Sequence, residues 1–195
     1  MSVKSVRCLV AGLLLSYLGG ALAANAAPTC GAGDGPAMEL RVLAAALAAD
    51  SDRSLVVSVF DDGCVQLHRP AYRRDAGDFR LQLAPAALDT LRRTVDHPAL
   101  RTFDAKRVKA DIAAAQRKYV GADGRAERYS ELDADRYEIH WRSAGKRGVA
   151  AWTGLPGPAQ TYSDNESLQA FHKAASALQA LAERSDAVRL DGGRP

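Results

Sequence analysis

Residues 54–70 read SLVVSVFDDGCVQLHRP. Two apolar runs flank Asp61-Asp62-Gly63, and this pattern constrains the fold tightly. Strand side chains alternate between faces, so a slip of one residue carries a whole apolar set to the wrong side. A two-residue turn at Asp62-Gly63 sets Phe60 against Val65 and mixes polar and apolar groups on both faces. A three-residue loop, Asp61–Gly63, sets Phe60 against Cys64. Leu55, Val57, Val59, Val65 and Leu67 then share one face, and Val56, Ser58, Phe60, Cys64, Gln66 and His68 share the other. The apolar sorting selects the three-residue loop, a type I turn followed by a left-handed residue, for which Gly63 is suited. Cys64 is expected to point away from the apolar face.

The neighbouring segments extend the pattern. MELRVLAAALAAD (38–50) has Leu40, Leu43 and Leu47 at helical spacing and is expected to be a helix, with the short ELRVL as a strand the alternative. DFRLQL (78–83) alternates and predicts a third strand. APAALDTLRRTVDHP carries Pro85 at the start of a helix whose stripe is Leu88, Leu91 and Val95, ended by Pro98. Phe103 is expected to pack back on the core. A second helix follows, capped by Asp104, with Val108, Ile112, Ala115 and Tyr119 aligned, and GADG (121–124) breaks it. DRYEIHWRS and RGVAAWTG predict a second hairpin. LPGPAQTY reads as a loop, and Ser163 with Glu166 makes a capping box before an amphipathic helix with Leu168, Phe171, Ala175, Leu178 and Leu181. The order predicts an α+β fold: an antiparallel sheet built from two hairpins and an extra strand, with amphipathic helices packed on one face.

Domain organisation follows from the ends. Lys4 and Arg7 precede an apolar run, Leu9–Leu18, too short for the roughly 20 residues that span a bilayer. Small-residue patterns, Ala21-Leu22-Ala23 and Ala24-Asn25-Ala26, come next, which is the grammar of a secretory signal peptide at 1–23. Residues 24–37 read as a flexible Gly/Pro-rich lead-in, 38–186 as a single α+β domain, and 187–195 as a disordered tail. Cleavage removes Cys8 and leaves Cys30 and Cys64, and an even pair in an exported chain predicts a disulfide. It would close a loop of roughly 35 residues, a contribution of about 3–4 kcal/mol in the chain-entropy picture. A reactive Cys64 thiolate is disfavoured beside Asp61 and Asp62. The chain has 26 basic and 23 acidic residues. Lys4 and Arg7 leave with the signal peptide, so the remainder is +1, which argues against nucleic acid as a partner. No transmembrane segment is expected after cleavage, and the expected location is periplasmic or secreted.

The succession of a hairpin, a strand, LAPAALDTLRRTVDHPALRTFD, a hairpin beginning DADRYEIHW and a closing helix resembles emfourin-like domains over about residues 54–184. That family includes a proteinaceous inhibitor of thermolysin-type metalloproteases, so the resemblance implies an inhibitor-like module. It carries no site residue onto this chain.

Residue types that do chemistry give little pattern. His68, His97, His140 and His172 make no metal-ligand spacing. His68 and His140 fall on outer strand faces and would meet only if their hairpins were neighbours. There is no Gly-x-Ser-x-Gly, P-loop or Gly-x-Gly-x-x-Gly, and CGAGDG (30–35) follows no strand. Asp61 and Asp62 are accounted for by turn chemistry, and ELDADRYE lacks the glycine of a calcium loop. No catalytic residue, metal ligand or cofactor is expected. Basic residues cluster in RPAYRR (69–74) and along 104–119, with Lys106, Arg107, Lys109, Arg117 and Lys118. Aromatics are enriched in binding surfaces, so Trp152, Leu155 and Tyr162 in the loop after the second hairpin, with Tyr72, Arg73 and Arg74, form the candidate binding surface. The expectation is an exported, non-catalytic protein-binding domain of the bacterial cell envelope. Its partner would be another protein or envelope component, and a protease-inhibitor-like module using loop 153–163 or hairpin 61–63 is one form. The competing classes are a periplasmic hydrolase whose site assembles only in three dimensions and a structural accessory subunit of an envelope assembly.

Overall fold

The computed structural model describes residues 30–31, 35–45, 52–119, 134–143 and 145–190, with the side chains of 117–119 excepted. The expected signal peptide, the GADG breaker and the carboxylates Glu131 and Asp133 lie outside the described residues. The hairpin that opens the sequence argument forms with the three-residue loop. Strands β2 (Ser54–Val59) and β3 (Cys64–Arg69) pair with Val57 opposite Leu67 and Val59 opposite Val65. Phe60 donates its N–H to the Cys64 carbonyl at 2.9 Å, and Gly63 sits at φ +79°. Leu55, Val57, Val59, Val65 and Leu67 are all buried, so the register is the one that the apolar sorting demands.

Residues 38–43 do not form the expected helix. They form strand β1 (Met38–Leu43), paired with β2 on one side and with β5 (Arg136–Ser143) on the other. The reason is a competition of periods. Met38, Leu40 and Val42 alternate with Glu39 and Arg41, and a slot between two strands buries the first set completely enough to override alanine-rich helix propensity. Residues 46–50 lie outside the described residues. Among the described residues, strands β4 (Gly77–Gln82), β6 (Lys146–Thr153) and β7 (Val188–Arg189) complete a seven-stranded antiparallel sheet in the order β6-β5-β1-β2-β3-β4-β7. β1 thus joins the two hairpins into one sheet.

Two end assignments change with it. In the lead-in, Ala37 is part of the sheet: its N–H reaches the Val59 carbonyl and its carbonyl accepts from Arg142, each at 2.8 Å. In the tail, Val188 and Arg189 pair with β4, and the Leu190 N–H bonds the Asp78 carbonyl at 2.8 Å. Both segments are held because their backbone N–H and C=O groups pair with those of neighbouring strands.

Helices α1 (Pro85–Val95), α2 (Pro98–Arg101), α3 (Ala105–Tyr119), α4 (Pro156–Thr161) and α5 (Glu166–Ala182) cover one face. α5 is central and contacts β1, β2 and β5, with α1, α2 and α4 against it. Its buried stripe is Leu168, Phe171, Ala174, Ala175, Leu178 and Ala182, and the alanines allow close approach to the sheet. The cap is Asn165, accepting from the Leu168 N–H at 3.0 Å, rather than the expected Ser163. Asp104 caps α3 through the Lys106 and Arg107 N–H groups, as expected. Phe103 packs against Phe171 at a centroid distance of 4.9 Å and edge-on to Trp152 at 6.1 Å. No helix among the described residues is long and apolar enough to cross a membrane.

Candidate binding surface

The aromatic loop expected to form a surface is part of the core. LPGPAQTY is helical as α4, and Trp152 and Leu155 are only 3% and 1% exposed. Trp152 is enclosed by Phe103 and by Lys109, whose ammonium lies 5.6 Å from its ring centroid. Tyr162 is half-buried, and its hydroxyl accepts from Gln116 Nε2 at 2.9 Å beside a cavity of about 140 Å³. Packing on the sheet wins because two apolar side chains at this spacing gain more from burial than from an exposed loop. Tyr72 does stand out, 61% exposed, and Arg74 is exposed. Arg73, by contrast, is engaged in a fork with Glu183 at 2.9 and 3.1 Å and bonds Asp75 through Nε at 3.0 Å. The Arg73 guanidinium holds the Glu183 carboxyl below the usual carboxylate range. Arg69 joins the same group through Asp75 at 2.7 Å and stacks on the Phe79 ring at 4.1 Å. RPAYRR therefore ties the β3–β4 connection to the end of α5, and it does not form one free basic patch.

The best-braced exposed element is the hairpin loop Asp61–Gly63. Asp61 accepts from Arg92 of α1 at 3.1 Å and from Arg142 of β5 at 2.7 Å. Arg92 also reaches the Asp61 carbonyl at 3.0 Å. Gln82 of β4 donates to the Asp62 carbonyl at 2.7 Å, and the Asp62 carboxylate accepts the Cys64 N–H at 2.9 Å. Gly63 takes its left-handed φ where an added Cβ would press on the Leu83 carbonyl and Gln82. Immediately after the loop, Cys64 lies at disulfide distance from Cys30, with Cα atoms 5.4 Å apart. The lead-in that carries Cys30 places Gly31 directly on the Phe60 ring. Four separate parts of the chain thus hold a three-residue tip whose aspartates remain exposed. An open groove of about 530 Å³ runs beside it, between the tip, Leu83, Pro85, Leu88 and Asp89. The sequence motif showed the loop. It gave no sign of Arg92 and Arg142, which lie 31 and 81 residues away from Asp61.

His68 and His140 do not meet, because β1 and β2 stand between their strands. His68 is instead held between two carboxylates on the sheet face opposite the helices: Nδ1 with Asp78 at 2.7 Å and Nε2 with Asp52 at 2.5 Å. Both ring nitrogens are occupied, an arrangement that suits an imidazolium donating at each. No group of three or more His, Cys, Asp or Glu among the described residues is placed to hold a metal ion. Burial disfavours the charged ring, but the hydrogen bonds and charges of Asp78 and Asp52 outweigh it and raise the His68 pKa above 6.5. The pH dependence follows in sign. The folded pKa lies above the unfolded one, so the stabilisation is complete below pH 6.5 and is lost as pH rises through the folded value. The urea midpoint of the wild type is expected to fall over that window relative to His68→Gln. Parallel pH profiles for the two proteins would remove the ion triad as a source of stability.

In comparisons with protein-family models, curated proteins and solved structures, nothing matches this chain.

Proposed function

We propose that the chain is an exported, non-catalytic protein-binding domain of the bacterial cell envelope, located in the periplasm or secreted. In this reading the braced hairpin Asp61–Gly63 is inserted against a partner as a protease-inhibitor-like module. The bracing of the exposed tip by Arg92, Arg142, Gln82 and the Cys30–Cys64 pair carries the proposal. A tip whose shape is held in advance loses little conformational freedom on docking, which is where preorganised inhibitors gain affinity. The exposed Asp62 carboxylate at the tip favours a cationic group on the partner. The closed Asp52–His68–Asp78 set supports a non-catalytic reading, since neither ring nitrogen is free to take a proton from a substrate.

The test is a titration of a thermolysin-type metalloprotease with the oxidised chain, following hydrolysis of a casein substrate. Stoichiometric inhibition is expected, weakened about tenfold or more in an Asp61→Asn, Asp62→Asn double variant that keeps the loop's size, as expected if a contact of about 1.4 kcal/mol is lost. Full protease activity at a large molar excess of the chain would rule out the inhibitor form. Equal inhibition by wild type and the double variant would rule out the hairpin.

A further inference from the structure

The two edges of the sheet are finished differently. At one edge the chain covers itself, because β7 and Leu190 bond β4. At the other edge β6 is the terminal strand among the described residues. Its register shows which of its backbone groups are used. Gly154 donates its N–H to the Asp135 carbonyl at 2.8 Å, so Trp152, Ala150 and Gly148, in step with Gly154, are the residues that bond β5. The alternating residues Arg147, Val149 and Ala151 turn their N–H and C=O groups outward, where no partner is found among the described residues. An open strand edge is a template for another strand, and proteins usually cover it, shorten it or charge it. This one is eight residues long, is charged only at its start, by Lys146 and Arg147, and carries Val149 at 58% exposure.

Its charge selects the occupant. Lys146 and Arg147 are exposed at the start of β6. The nearest acid one strand inward, Glu138, is held by Arg136 at 2.7 Å. We infer that β6 is a docking edge for an extended acidic segment of a partner protein, which adds to the sheet as a further strand. Backbone pairing with Arg147, Val149 and Ala151 supplies the affinity, and carboxylates beside Lys146 and Arg147 supply the selectivity. A second copy of this chain is the poorer occupant, because its β6, KRGVAAWT, brings no carboxylate to pair with Lys146 and Arg147. The inference rests on the reading of the chain as a protein-binding domain but uses a surface separate from the Asp61–Gly63 tip.

The probe is a synthetic peptide of alternating Glu and Val, with alternating Lys and Val as its counterpart, measured by fluorescence anisotropy against the oxidised full chain. The acidic peptide is expected to bind, to weaken with added salt as exposed charge pairs do, and to exceed the basic peptide by about tenfold or more, a difference of about 1.4 kcal/mol. Val149→Pro removes an outward N–H that β5 does not use, so it leaves the hairpin paired and is expected to abolish binding. A Lys146→Glu, Arg147→Glu variant is expected to reverse the peptide preference, and its circular dichroism checks that the fold is retained. Binding that survives Val149→Pro, equal affinity for the two peptides, absence of binding, or concentration-dependent dimerisation through β6 would each overturn the proposal. Protease inhibition that persists in Val149→Pro would leave the hairpin reading intact while the edge reading stood or fell by itself.

Discussion

Reduction of the Cys30–Cys64 pair is expected to lower the melting temperature of the chain by about 6–16 °C. The pair spans a sequence separation of 34 residues. Closing a loop of that size removes about 3–4 kcal/mol of unfolded-chain entropy, and each kcal/mol moves the midpoint of a domain of this size by about 2–4 °C. The local structure adds a second reason for a large effect. Cys64 is buried on the sheet face opposite the helices, and the strap it anchors lays Gly31 on the Phe60 ring. Releasing the strap therefore uncovers an aromatic ring beside the Asp61–Gly63 tip, and binding through that tip is expected to weaken along with stability. Thermal denaturation with and without reductant checks the first effect, using Cys30→Ala as a control whose melting should not respond to reductant. Coincident melting curves for oxidised and reduced wild type would contradict it.

Phe171→Ala is expected to cost about 3–5 kcal/mol, the range for removing a large aromatic from a close-packed core. Phe171 is fully buried on the central helix α5 and stacks against Phe103, which in turn meets Trp152 edge-on. Deleting the ring leaves a void beside the Phe103 ring, which Trp152 in turn holds edge-on, and a close-packed interior relaxes poorly into a void. Phe171→Leu keeps more of the volume and is expected to cost less. Urea denaturation of both variants measures the difference. A cost below about 1 kcal/mol for the alanine variant, outside that range, would mean that the Phe103–Trp152–Phe171 group does not anchor the helical layer.

Much of the fold was legible because periodicity reports burial. The hairpin register, the strand at 77–82, the helices beginning at Pro85, Ala105 and Glu166, and the second hairpin all follow from apolar spacing. The misreadings share a cause. Residues 38–43 carry two superposed periods, and only the slot between β2 and β5 decides in favour of the strand. Two-residue β7 is too short to show a pattern and exists because β4 has an edge to cover. Trp152 and Leu155 looked like a surface because aromatic loops frequently are one, yet in this chain the loop is helical and lies on the core.

The sequence by itself determined the α+β class, the three-residue loop at Asp61–Gly63 and the direction in which Cys64 points, because each depends on residues within a few positions of one another. Only the tertiary structure decided that the two hairpins share one sheet through β1. It also decided that Arg92 and Arg142 converge on Asp61, that His68 lies between Asp52 and Asp78, and that β6 is the end strand of the sheet among the described residues. Those facts join residues that are far apart along the chain. Pairing at such separations is set by which surfaces remain to be covered once the local elements have formed.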